Sequence, residues 1–143
     1  MLLEARKEKL YHFRLFKNGN NVGALSFNSG AIHGVFEDTN WDFLPEGSAQ
    51  YRVLRSNESV GFLRKEKITV LAPAFRLFFE EKEYVWEPNF WLSKYTLIQA
   101  GEKQMTITRD WFTGTLKTST NKPALFITGL VGYMTIFGPA VTF

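Results

Sequence analysis

The sequence predicts a mainly β fold: a closed barrel of about twelve short antiparallel strands enclosing a C-terminal apolar helix. Three observations carry this. The last twenty residues, Ala124 to Phe143 (ALFITGLVGYMTIFGPAVTF), hold no formal charge. The chain before them is cut into short alternating runs by Gly, Asn, Ser, Asp and Pro. One hairpin pattern recurs along it without gaps. A pleckstrin-homology-like sheet with a C-terminal helix is the alternative, but it needs fewer strands and leaves several runs unassigned.

The tail sets the architecture. Its unbroken apolar run is Ala124 to Phe137, before Gly138-Pro139 stops it. A membrane span needs about 20 apolar residues, and this run is shorter. At 1.5 Å per residue it would reach about 21 Å, close to the length of a six-residue strand. A helix apolar on every side must be buried on every side, so the expectation is a central helix at 124–137 inside a curved sheet. A membrane anchor and a last pair of strands are the competing readings of the tail.

From the start, residues 1–9 (MLLEARKEK) read as a charged lead, loose or helical. Residues 10–118 read as the barrel of hairpins. Leu10 to Lys17 alternates, Asn18 to Asn21 turns, and Val22 to Asn28 returns. Ala31 to Glu37, Trp41 to Leu44, Gln50 to Arg55 and Ser59 to Arg64 follow, separated by turn residues. Lys67 to Ala72, Phe75 to Glu80, Tyr84 to Glu87, Lys94 to Gln99, Gln104 to Arg109 and Phe112 to Thr118 complete the set. All belong to a single domain, 1–143.

The recurring pattern aligns Phe13 to Leu25 (FRLFKNGNNVGAL) with Tyr51 to Leu63 (YRVLRSNESVGFL). Tyr95 to Ile107 (YTLIQAGEKQMTI) keeps the hairpin spacing without the Val-Gly. Gly23 and Gly61 fall inside strands just after a turn, where glycine marks a bulge or a close backbone approach. The prediction is one bent hairpin used several times around the barrel.

Composition narrows the function. With 14 Phe, 5 Tyr and 4 Trp the chain leans to pleated, half-buried surfaces. It has no cysteine, which removes disulfides, thiolate metal sites and a thiol nucleophile. The first residues lack the apolar core of a signal peptide, so a cytoplasmic location, peripheral to a membrane at most, is expected. The net charge of +3 is mild. His12 and His33 sit in strand contexts with no carboxylate at useful sequence spacing, and read as ordinary strand histidines. Glu80, Glu81, Glu83 and Glu87 flank a turn and read as solvated. There is no nucleophile elbow and no phosphate-binding glycine loop, so catalysis and cofactors are not expected. Trp41, Trp86, Trp91 and Trp111 fall near strand edges and loops, where tryptophan plugs a barrel end or meets a membrane interface. Basic residues interleave with aromatics around Tyr51-Arg52 and Phe62 to Lys67. Arg64, Lys65 and Lys67 are therefore the candidate contacts to an anionic lipid or membrane surface. A partner protein near a membrane is also compatible, and nucleic acid is not expected.

Repeated hairpins with Val22-Gly23 and Val60-Gly61, about twelve strands and a terminal apolar helix together resemble the tubby C-terminal-like superfamily. That group includes the LURP-one-related proteins and the phospholipid scramblases. The resemblance covers about Leu10 to Phe143 and is similar to small bacterial members. It rests on architecture and on a Tyr-x-Val-x-Arg…Val-Gly-x-Leu pattern. It implies a closed twelve-stranded barrel around a central helix and binding of phosphoinositides by basic surface residues. Scramblase relatives bind calcium, but no Asp-rich loop stands here to carry that over. A lipocalin-like carrier of small hydrophobic ligands, with an empty barrel, is the rival function, and a tail-anchored membrane protein a third.

Overall fold

A computed structural model gives the three-dimensional structure. It describes residues 1–9, 12–28, 30–47, 49–67, 73–88, 94–110 and 112–137, with backbone alone at 67, 73, 88 and 135–137. Twelve strands form in the described residues: β1 Leu2–Lys9, β2 His12–Lys17, β3 Asn20–Asn28, β4 Ala31–Phe36, β5 Thr39–Glu46 and β6 Gln50–Arg55. β7 Glu58–Lys67, β8 Pro73–Phe79, β9 Lys82–Pro88, β10 Lys94–Gln99, β11 Glu102–Arg109 and β12 Leu116–Ser119 follow, and then α1 Pro123–Phe137. Each strand pairs antiparallel with its sequence neighbours, and β1 pairs with β12 to close the barrel. Closure leaves no sheet edge. It excludes the pleckstrin-homology-like alternative.

The first nine residues correct the sequence reading. They are not a loose or helical lead but the closing strand. Leu3 and Ala5 are fully buried while Glu4 and Arg6 face outward, and Lys7, opposite Phe13, is exposed where the strand reaches the barrel end. Only two inward side chains mark the strand, and the charge-rich run after them conceals it. The last segment is also corrected: β12 starts at Leu116, and Phe112 to Thr115 belong to a turn. The expected strand Lys67 to Ala72 lies, beyond Lys67, outside the described residues. The short segment at Trp41 runs longer, through Pro45, which pairs with Tyr51.

Five hairpins close through two-residue turns with positive φ at both central residues: Asn18-Gly19, Glu37-Asp38, Ser56-Asn57, Glu80-Glu81 and Ala100-Gly101. This is the type I′ geometry, whose twist matches that of paired strands. The internal repeat is real at the level of register. The pairing slips between Leu15 and Phe16, between Val53 and Leu54, and between Leu97 and Ile98. These are equivalent positions in the three aligned segments. Val22, Val60 and Gln104 are the extra residues. In the first two copies the hairpin also docks on its neighbour identically: Glu37 N–H donates to Val22 O and Glu80 N–H to Val60 O. The third segment keeps the bulge without the glycine.

The helix runs through the barrel. Every residue from Leu125 to Met134 is buried, which covers more than two full turns on all sides. Its side chains meet strands around the ring. Tyr133 packs edge-on against Phe13 of β2 and Tyr95 of β10. Gly129 lies under Trp86 of β9 and Ile107 of β11, and Gly132 under Phe75 of β8. A β-carbon at Gly129 would stand 2.6 Å from Ile107 and 2.7 Å from the Trp86 ring, so glycine here lets two large side chains reach the helix backbone. No helix among the described residues is long and apolar enough to cross a membrane.

Trp86 shows how the core handles its polar atoms. Its indole N–H donates to Thr128 Oγ1 at 2.9 Å, and that hydroxyl donates to Leu125 O at 2.7 Å. Both residues are buried. Thr128→Val keeps the shape and strands the indole N–H. The expected loss is about 1–3 kcal/mol in urea unfolding, with Thr128→Ser close to wild type. Equal stability of Thr128→Val and wild type would show the bond contributes nothing.

Candidate functional site

The two ends of the barrel differ in chemistry. Strand direction places all five two-residue turns at one end, together with the start of α1, where Lys122 and Leu125 border a hollow shared with Glu80 and Tyr84. Those ten turn residues include no Val, Ile, Leu, Phe or Trp. Glu37, Asp38, Glu80 and Glu81 sit there, with Lys17 and Arg55 paired to Glu37 and Glu80.

The other end is joined by the connections that follow β1, β3, β5, β7, β9 and β11. In sequence these are Leu10-Tyr11, Ser29-Gly30, Gly47-Ser48-Ala49, Ile68 to Ala72 (ITVLA), Asn89 to Ser93 (NFWLS) and Asp110 to Thr115 (DWFTGT). Asp110 is their one charged residue. The described part of the last connection is a firmly built turn. Asp110 Oδ1 accepts from the N–H groups of Phe112 at 2.9 Å and Thr113 at 3.4 Å. Asp110 and Thr115, and Gly114 and Asp110, are joined by backbone bonds of 2.8 Å. At the tip Phe112 is 100% exposed. Lys7 lays its stem beside Gly114 of the same turn. Lys7, Lys9 and Lys65 are exposed at this end and form no ion pair among the described residues.

The three basic residues singled out from sequence do not form one patch. Leu63 of β7 points inward, so Lys65 lies on the inner side of the strand, at its exposed end opposite Phe75. Arg64 lies on the outer wall. There it pairs with Glu66 at 3.1 Å, and Glu66 also accepts from Arg76 at 2.9 Å, while Arg76 pairs with Glu83. The Arg76 hydrogen bond holds the Glu66 carboxyl below its usual range, against partial burial, with Arg64 adding to the effect. Arg64 is thus neutralised locally and Lys65 is not. Lys67 ends β7, and its side chain lies outside what is described.

The histidines are also corrected. Each acquires a carboxylate: His33 Nδ1 lies 2.5 Å from Asp42 Oδ1 on the neighbouring strand, and His12 Nε2 lies 3.4 Å from Glu8. His12 Nδ1 is 2.5 Å from Ser26 Oγ. These pairs line the outer wall. No group of three metal-ligating side chains forms among the described residues. Of the tryptophans, Trp41 and Trp86 are core residues rather than rim residues, and Trp91 and Trp111 lie outside the described set.

Three residues at the loop end escaped sequence reasoning. Tyr95 is the second residue of β10, Arg109 ends β11 and Tyr133 lies on α1; all converge in the barrel mouth. The Arg109 guanidinium carbon stands 5.5 Å from the centre of the Tyr133 ring. Burial, then Tyr133, pushes the Tyr95 phenol well above its usual pKa, and the Arg109 charge opposes the shift. Burial likewise raises Tyr133, again against Arg109. The available signal was parity: Tyr95, Ile107 and Arg109 are inward positions of paired strands.

No family model matches the chain, and neither the curated proteins nor the solved structures contain a match.

Proposed function

We propose that the protein is a non-catalytic binding domain that docks the loop end of its barrel on an anionic membrane surface. The observation that carries this is Phe112, held fully exposed by a hydrogen-bonded turn at the end where Lys7, Lys9 and Lys65 stand unpaired among the described residues. A turn built to hold a phenyl ring in water gains when that ring enters an apolar phase, by about 2 kcal/mol. Each lysine near an anionic bilayer adds about 1 kcal/mol, which salt screens. The apolar sequence of the neighbouring connections fits the same surface. The helix occupies the axis that a lipocalin-like carrier would leave to its ligand, which favours the surface reading over the carrier.

The test is flotation of the detergent-free protein with neutral or anionic vesicles at low and high salt. Binding to anionic vesicles alone, weakened by salt, is expected. Phe112→Asp should reduce the bound-to-free ratio about tenfold or more, and Lys65→Glu by less. Lys103→Glu, at the opposite end, should leave it unchanged. Absence of binding to either vesicle, or full binding by Phe112→Asp, refutes the proposal.

A further inference from the structure

We propose that the hollow at the turn end of the barrel, where α1 enters, binds the dianionic phosphate group of a small water-soluble monoester. It lies at the opposite end from the surface assigned to membrane docking and does not rest on that reading. The hollow measures about 250 Å³. Its walls are Phe79 of β8, Glu80 of the following turn, Lys82 and Tyr84 of β9, and Lys122 and Leu125 at the start of the helix. Phe79 is buried and pairs with Lys82 across the hairpin, so Lys82 lies on the inner face, with Tyr84 two residues further on.

The key observation is Tyr84. It is 6% exposed, it borders the hollow, and its hydroxyl has no hydrogen-bond partner among the described residues. Burial, then the Glu80 charge, raises the phenol above its usual pKa, so it stays a donor. The helix start supplies a second, independent set of donors. Lys122 stands at the capping position, where a side-chain acceptor is usual, and Pro123 follows. The first turn holds no acidic residue. The N–H groups of Ala124 and Leu125 meet no acceptor among the described residues, and Phe126 N–H reaches Lys122 O only at 3.4 Å. The positive end of an enclosed helix therefore borders the hollow without a protein acceptor.

Charge and shape specify the occupant. Neither Lys82 nor Lys122 forms an ion pair among the described residues. Glu80 is the one carboxylate on the lining, and Arg55 pairs with it at 2.7 Å. Two free ammonium groups and a helix end match two negative charges. Lysine acts as a point charge with rotatable donors, which suits tetrahedral oxygens, whereas flat recognition of a carboxylate draws on arginine. The volume is below the roughly 300 Å³ at which drug-sized ligands begin, so the phosphate carries a small group. Asp38 and Glu81, in turns at the same end, line no part of the hollow but would repel an anionic bilayer laid across it, which leaves a solute as the source.

The experiment measures the dissociation constant of inorganic phosphate by calorimetry, with acetate as comparison, at mildly alkaline pH and fixed ionic strength. Wild type should bind phosphate about tenfold more tightly than acetate, and glycerol 3-phosphate as well as phosphate. Tyr84→Phe should weaken phosphate about fivefold, the size of one hydrogen bond, and unfold at the wild-type temperature in chloride. The double variant Lys82→Gln, Lys122→Gln should lose phosphate binding. Lys103→Gln removes a lysine from the same end, outside the hollow, and should keep it. Phosphate bound no better than acetate, binding retained by the double variant, or binding lost equally in Lys103→Gln overturns the site. Capture of Phe112→Asp by phosphatidate vesicles through Lys82 and Lys122 overturns the solute as its ligand.

Discussion

Gly61→Ala is expected to cost about 4 kcal/mol, among the largest effects of any single methyl group in this chain. The reason is backbone, not core volume. At the β7 bulge the Gly61 α-carbon lies against the Phe78 carbonyl of β8, and a β-carbon would overlap that oxygen. The oxygen cannot withdraw freely. Phe78 lies between residues that pair with β7 on one side and β9 on the other. Glu80 N–H to Val60 O, at 3.1 Å, pins the next hairpin to the same bulge. Gly23 repeats the arrangement against Val35 O, so Gly23→Ala should show a similar loss, and the two should add because the sites are distinct. Gly34→Ala is the control. Its β-carbon would meet the end of the Leu25 side chain and stand 3.2 Å from Ala24 O, a milder overlap than at Gly61, so about 1–2 kcal/mol is expected. Urea unfolding of the four proteins decides the matter. A Gly61→Ala midpoint close to that of Gly34→Ala would show that the bulge accommodates a side chain.

Phe126→Ala is expected to lose about 3–5 kcal/mol. Phe126 is 1% exposed on a helix enclosed by strands, so the space it leaves has little means of collapse. The midpoint of urea unfolding should fall with the slope unchanged, because barrel and helix unfold together. A helix merely appended to the barrel would give a small loss or a separate transition. Either result would contradict the enclosed helix. Leu130→Lys should be more severe still, since Leu130 is 1% exposed and the helix offers no outer face to which an ammonium could escape.

Much of this architecture is local and was therefore legible in the chain. Asn18-Gly19 between two alternating runs specifies a type I′ hairpin without reference to anything distant. The Val-Gly after the turn in the first two copies of the repeat announces the bulge, because glycine is wanted where another backbone comes close. The charge-free run to Phe137 announces a helix with no exposed side. These are short-range periodicities, and the helix was expected at 124–137 and forms at Pro123–Phe137.

The candidate site was legible only in outline. Lys65 remains at the loop end, but Arg64, one residue away, faces the opposite side and is held by Glu66. Alternation could have separated them. It also sets Glu66 on the face of Arg64; what it could not supply was Arg76, which reaches Glu66 from the neighbouring strand. Phe112 looked like the first residue of a strand. Only the hydrogen bonds that Asp110 accepts from Phe112 and Thr113 N–H make it the tip of a turn.

The sequence by itself determined the hairpins, their turns and bulges, and the apolar helix, because each is specified by residues within a few positions of one another. Tertiary structure alone decided the closing role of Leu2–Lys9, the carboxylate partners of His12 and His33, and the meeting of Tyr95, Arg109 and Tyr133. β1 pairs with β12 across more than a hundred residues of chain, and its two buried side chains make too weak a pattern to announce it. Closure also sorts the connections, bringing the five two-residue turns, with their four carboxylates, to one end. That sorting exists only once every second connection is brought to the same rim.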